Sequence, residues 1–132
     1  MKTAELRVST VRRTQFVSIT SKIAEVIANN GWQDGVLTVF VPHTTAGVTI
    51  NENADPDVAR DMEMFSDELV PQSHGFRHSE GNSDAHIKAG FYGSSVQVII
   101  RHGNMWLGIW QGIYFCEFDG PRERSVSLAF CD

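Results

Sequence analysis

Gly35 opens the run Val36-Leu-Thr-Val-Phe-Val41, a nearly continuous apolar, β-branched stretch. Such a run reads as a central strand, and it commits the chain to a sheet. A second strand, Gly47-Val-Thr-Ile-Asn51, follows after the interruption Pro42-His43-Thr44-Thr45-Ala46. Residues 5–10 and 15–20 read as paired strands joined by the basic Val11-Arg-Arg-Thr turn. From Ser95 onward the pattern predicts strands over Val96–Arg101, Trp106–Trp110, Ile113–Phe118 and Arg124–Phe130, punctuated by Gly103, Gly108, Gly112 and Gly120-Pro121.

Helical spacing appears in three places. Thr20 is placed to cap a helix whose Ile23, Val26 and Ile27 share one face, with Asn30-Gly31 as its stop. Asp55-Pro56 is a strong helix start, and Val58, Met62, Phe65 and Leu69 then form an apolar stripe expected to pack in the core. Pro71 ends that helix, residues 71–83 form a long polar loop, and Asp84 is expected to begin a short helix through about Phe91. The expected class is α+β: a largely antiparallel sheet with two or three helices packed to one side, one compact domain over residues 1–132.

Composition narrows the function. With 132 residues, 42% of them hydrophobic, the chain can build one real core. Its formal charge of −5 argues against a general nucleic-acid binder, though it leaves room for a small, locally basic site. No apolar run is long enough to span a membrane, and the N-terminus lacks the apolar stretch of a secretory signal, so cytoplasm is the expected location. Cys116 and Cys131 form no CxxC and are expected as free thiols.

Chemistry concentrates in one segment. Three of the five histidines fall in His74-Gly-Phe-Arg-His78-Ser-Glu80-Gly-Asn-Ser-Asp84-Ala-His86. Imidazoles and carboxylates are the usual ligands of zinc-type metals and the usual acid–base groups near neutrality. The turn with Gly81 and Asn82, at the start of a helix, can offer backbone N–H groups to an anion. The spacing matches neither a zinc finger nor HExxH. A metal or acid–base site beside a phosphate cradle is the reading these residues support.

Further motifs resemble one family. Ser95-Val-Gln-Val98-Ile-Ile100-Arg-His-Gly103, followed by Gly108-Ile-Trp110-Gln111-Gly-Ile113, looks like the signature of the YjbQ-like family, also called the secondary thiamine-phosphate synthase family. Ile109 stands where that family usually has threonine. His43-Thr-Thr-Ala, Thr49-Ile-Asn51-Glu52-Asn53-Ala-Asp55-Pro56, the His78–Lys88 segment and Glu117-Phe-Asp119-Gly120-Pro121-Arg122 stand in the family's order. The resemblance implies an α+β subunit that assembles as a homotrimer. It also implies a weak thiamine-phosphate synthase activity, joining a pyrimidine-methyl pyrophosphate to a thiazole phosphate. Neither fixes the physiological role.

Site residues follow from both lines. His43 sits directly after a buried strand, where a histidine needs a partner. His43, His86 and Asp84 are the candidate catalytic groups, although Asp84 is also a plain helix cap. His43, His78 and His86 are the candidate ligands of a divalent metal, zinc or magnesium. Asn51, Asn53, Gly81, Asn82, Lys88, Trp110, Gln111 and Arg122 are the candidate contacts to a phosphorylated small molecule, with Arg122 the best phosphate anchor because a guanidinium grips two oxygens. Core filling is the competing reading of Trp110. His74 and His102 read as surface residues. A metal-dependent hydrolase of a phosphorylated small molecule and a non-catalytic trimer that binds a metabolite remain as alternatives.

Overall fold

A computed structural model describes all residues, 1–132. In chain order the elements are β1 (Lys2–Ser9), β2 (Gln15–Ser18), α1 (Thr20–Asn30), β3 (Gly35–Phe40), β4 (Ala46–Glu52), α2 (Pro56–Leu69), α3 (Ser83–Tyr92), β5 (Ser95–Arg101), β6 (Asn104–Met105), β7 (Gln111–Glu117) and β8 (Glu123–Cys131). All strand pairs are antiparallel. They build a five-stranded sheet, β1-β8-β3-β5-β6, and a three-stranded sheet, β2-β7-β4. The expected α+β class with one antiparallel-sheet domain is what the chain forms.

The strand period explains the layers. In β7, Ile113 and Phe115 point into the main core shared with Leu37, Val39, Val98, Val126 and Leu128 of the large sheet. Tyr114 and Cys116, of opposite parity, enter a second cluster with Phe16, Phe118, Ala59, Ala85 and Ala89. β7 is therefore buried on both faces, between the large sheet and the α2–α3 layer. Helix α1 contributes Ile23 and Ile27 to the main core. Gly31 ends it at φ 63°, a left-handed turn that suits glycine.

Several sequence expectations are corrected. β3 is central in its sheet, but only Leu37 and Val39 are buried; Val36 and Phe40 are 40% and 43% exposed, because no layer covers that face. β1 and β2 do not pair: β1 lies on β8 and β2 on β7, in different sheets. The turn between them hands the chain from one sheet to the other, and alternation alone does not choose a partner strand. Residues 106–110 are not a strand; the Gln111 side chain takes the N–H of Gly108 and closes a turn. Ile19 occupies the cap of α1 without a side-chain bond, and the Thr20 hydroxyl accepts the N–H of Ile113 instead.

Helix α2 begins as expected, with Asp55 accepting the Asp57 N–H at 2.9 Å ahead of Pro56. Its apolar stripe reaches the core only in part: Met62 packs against the second cluster, whereas Phe65 and Leu69 are 58% and 60% exposed. The helix buries Ala59, Glu63 and Ser66 instead, small or hydrogen-bonded side chains that allow close approach to β2. Cys116 is buried and Cys131 exposed, both free. No helix is long and apolar enough to cross a membrane.

Candidate functional site

The site forms where β3 stops short of its neighbour. β3 ends opposite Ser127, so the edge of β8 at Ser125 has no strand beside it. The His43 ring occupies that edge. Ser125 donates its N–H to Nε2 at 3.1 Å, and the Ser125 carbonyl lies 3.2 Å from the same nitrogen. Nε2 accepts the Ser125 N–H when the ring proton sits on Nδ1, and donates to the Ser125 carbonyl when the proton sits on Nε2. Burial, reinforced by the Arg124 guanidinium, pushes the His43 pKa below its ordinary 6.5. The lowered pKa favours the neutral imidazole at pH 7, with Nε2 held on the Ser125 backbone.

The 71–82 loop and the first turn of α3 bring the other two rings. His78 and His86 meet edge to face, with centroids 5.4 Å apart, and His78 Nε2 lies 3.9 Å from Glu80. Asn82 caps α3 through its carbonyl, which accepts from Ala85 N–H at 3.0 Å. The Asn82 Nδ2 donates to Asp119 at 2.9 Å, while its Oδ1 is buried with no hydrogen-bond partner. Arg122 follows the cis Gly120–Pro121 bond. Its Nε donates to the Asp119 carbonyl at 3.0 Å and its Nη2 to the Asp119 carboxylate at 3.1 Å. Beneath them Arg124 is held by Glu117 and Thr45, all three buried.

These groups line one open cavity of about 760 Å³, which holds His43, His78, His86, Asn82 and Arg122 together with Glu80, Asp119 and Arg124. The volume suits a small-molecule ligand. A second hollow of about 440 Å³ lies between α2 and α3, lined mainly by Val58, Met62, Phe65, Leu69 and Phe91. It contains no histidine, so the chemistry belongs to the polar cavity. The three imidazoles share that cavity, and within one chain no group of three or more His, Cys, Asp or Glu side chains is arranged to hold an ion.

Other predicted site residues lie elsewhere. Asp84 is fully buried, bound by Arg13 through two bonds of 2.8 and 3.0 Å and by Lys88 at 3.2 Å. Burial raises the Asp84 carboxyl pKa, but hydrogen bonds from Arg13 and Lys88 outweigh that and hold it below its ordinary range. Lys88 is 2% exposed and also bonds Asp67 at 2.7 Å. Both charges are paired inside the protein, and neither side chain lines the polar cavity that holds the histidines. Gly81 is exposed at φ 75° beside the cavity-lining Asn82.

Asn51, Asn53, Trp110 and Gln111 do not reach the cavity. His43, Thr45 and Asp119 flank the Ala46–Glu117 end of the β4–β7 pair, whereas Asn51 and Gln111 stand at the opposite end. Six residue steps of strand separate the two ends by about 20 Å. There Asn53 N–H donates to the Trp110 carbonyl at 2.8 Å, and the Asn53 side chain packs on Gly112. Trp110 is 61% exposed, neither core filling nor part of the cavity.

The sequence model of the family described as UPF0047 protein YjbQ-like matches residues 4–132. The chain belongs to this family. Its relatives include a UPF0047 protein of Methanocaldococcus jannaschii, 50% identical over 118 residues, 89% of this chain and 86% of that one. The UPF0047 protein YugU of Bacillus subtilis is 48% identical over 124 residues, 93% and 94% of the two chains. Among solved structures, a YjbQ/UPF0047 protein of Clostridium acetobutylicum superposes with a TM-score of 0.93 at 50% identity, covering 97% and 99%. A hypothetical protein of Aeropyrum pernix gives 0.94 at 38% identity, covering 99% and 98%. The Clostridium protein is described as uncharacterized, so YjbQ-like membership carries a fold and no reaction.

Reasoning from sequence missed Asp119, Glu80, Thr45 and Arg124 in the cavity wall. Arg124 carried a readable signal: a charged residue at an inward position of a strand needs a buried counter-ion, and Glu117 is the matching inward charge on the strand before it.

Proposed function

We propose that the polar cavity binds a phosphorylated small molecule, and that its histidines supply the acid–base groups for chemistry on it. The observation that carries this reading is the convergence of His43, His78 and His86 with Arg122 around one cavity, although His43 lies far from the others in sequence. A neutral imidazole whose Nε2 accepts the Ser125 N–H has its Nδ1–H free to donate to a phosphate oxygen, and Arg122 retains N–H groups beyond those bonded to Asp119. We place the protein in the cytoplasm, where such phosphorylated metabolites are found.

The reaction we propose is the one the family resemblance implies, a thiamine-phosphate synthase-type coupling. The bond between the pyrimidine's methylene carbon and pyrophosphate breaks, and the pyrophosphate leaves with the electron pair. The thiazole nitrogen then donates its lone pair to that carbon, forming the new C–N bond. Negative charge grows on the leaving group, and Arg122 and the His43 Nδ1–H are the donors that stabilise it. No covalent nucleophile is required. We propose a homotrimer as the working assembly, with the uncovered face of the five-stranded sheet as apolar surface available to neighbours.

Purified protein incubated with the two phosphorylated substrates distinguishes the readings. Coupled product supports the transferase, free phosphate alone supports a hydrolase, and binding without turnover supports a metabolite-binding module. Calorimetric titration then tests the anchor. Arg122→Ala is expected to weaken binding by about 1.5–3 kcal/mol, the scale of a charged hydrogen bond, with an unchanged melting temperature. No binding of either substrate at millimolar concentration would overturn the proposal.

A further inference from the structure

We propose that Asp119 is a positioning residue that aims Arg122 at the cavity and fixes its guanidinium relative to Asn82 and α3. The inference rests on the reading of Arg122 as the anion anchor. Arg122 is half exposed on a turn, and every hydrogen bond its side chain makes goes to Asp119: Nε to the carbonyl, Nη2 to the carboxylate. Those two bonds fix the plane of the guanidinium. They leave both Nη1 hydrogens and one on Nη2 for a ligand.

Asp119 is itself held from several directions. Its N–H donates to Glu117 Oε2 at 3.1 Å, its Oδ2 accepts from Asn82 at 2.9 Å, and its Oδ1 lies 3.9 Å from Arg13 Nη2. Arg13 in turn grips Asp84 in the first turn of α3, the turn that carries His86. One carboxylate therefore ties the arginine wall of the cavity to the histidine wall. A long side chain ordered before binding does not have to be ordered during it, so this arrangement raises affinity through preorganisation.

Electrostatics alone predicts the opposite sign. Asp119 places a negative charge beside the proposed anion position, and removing it would tighten anion binding if charge were its only role. The sign of the change therefore separates the two roles. Inorganic pyrophosphate is titrated calorimetrically into wild-type protein, Asp119→Ala and Asp119→Asn, with thermal melts to confirm folding. Positioning predicts binding about fivefold weaker in Asp119→Ala, the cost of immobilising one long side chain on binding. Asp119→Asn should recover part of the loss, because its carbonyl oxygen still accepts one N–H.

Equal or tighter binding by folded Asp119→Ala overturns the proposal. If Asp119→Ala does not fold, the same comparison is made with Asp119→Asn, where equal or tighter binding likewise overturns it. If wild-type protein binds no pyrophosphate, the anchor reading of Arg122 fails, and the positioning is still read separately. The Arg122 Nη2–H resonance, whose acceptor is the Asp119 carboxylate, should show slow exchange in unliganded wild-type protein and fast exchange in the variant. Identical exchange in the two would mean that Asp119 does not hold Arg122.

Discussion

Replacing Asp84 by alanine should unfold this protein at a much lower temperature, whatever the reaction in the cavity. The carboxylate is fully buried and accepts three charged hydrogen bonds, two from Arg13 and one from Lys88. Removing one partner from a buried ion pair costs about 3–5 kcal/mol, because the other charge is left without compensation. Lys88 keeps its 2.7 Å bond to Asp67, and the Arg13 side chain is 32% exposed and gains water, so the lower end applies, about 3 kcal/mol. For a chain of this size that is a fall in melting temperature of about 10 °C. Thermal and urea melts of wild-type protein, Asp84→Ala, Lys88→Met and the double variant measure it. The double variant should lose less than the sum of the singles, since both singles break the same buried Asp84–Lys88 bond. A melting temperature within 2 °C of wild type, about the shift of half a kcal/mol, would refute the structural role and return Asp84 to the catalytic candidates.

Two further predictions follow from the same contacts. The His43 pKa is lowered on folding, so as pH falls through 6.5 the unfolded chain takes up the proton first. His43 therefore withdraws stability as pH drops from about 7 toward its folded pKa, and none beyond it; ring ¹⁵N shifts should show the neutral imidazole at pH 7, and titration at or above 6.5 would be inconsistent with this geometry. At Gly112, an added Cβ would lie 2.5 Å from Asn53 Cγ, so Gly112→Ala should cost about 1–3 kcal/mol in urea melts. Ligand affinity should be unchanged there, because Asn53 stands at the end of β4 away from the cavity; lost affinity in a folded variant would put that end back in the site.

Local physics was legible in the sequence wherever a residue's role depends on its near neighbours in the chain. The periods of β3, β4, β5, β7 and β8, the Asp55-Pro56 start of α2 and the Gly31 stop of α1 all depend on backbone preference and alternation, and each forms where those preferences place it. The motifs of the YjbQ-like family stand in the linear order of the chain, and the family was readable from them. Tertiary structure alone decided which strands pair and where each charge ends. Alternation tells a strand which side chains point inward but not which strand lies beside it, so β1 and β2 separate into different sheets. The stripe on α2 has helical period, yet period does not say whether a layer covers it, and Phe65 and Leu69 face outward. Asp84 and Lys88 have the composition of a site, but their partners Arg13 and Asp67 come from distant elements and neutralise them. The cavity itself exists because β3 ends before β8 does, which leaves Ser125 open to a histidine from the following loop.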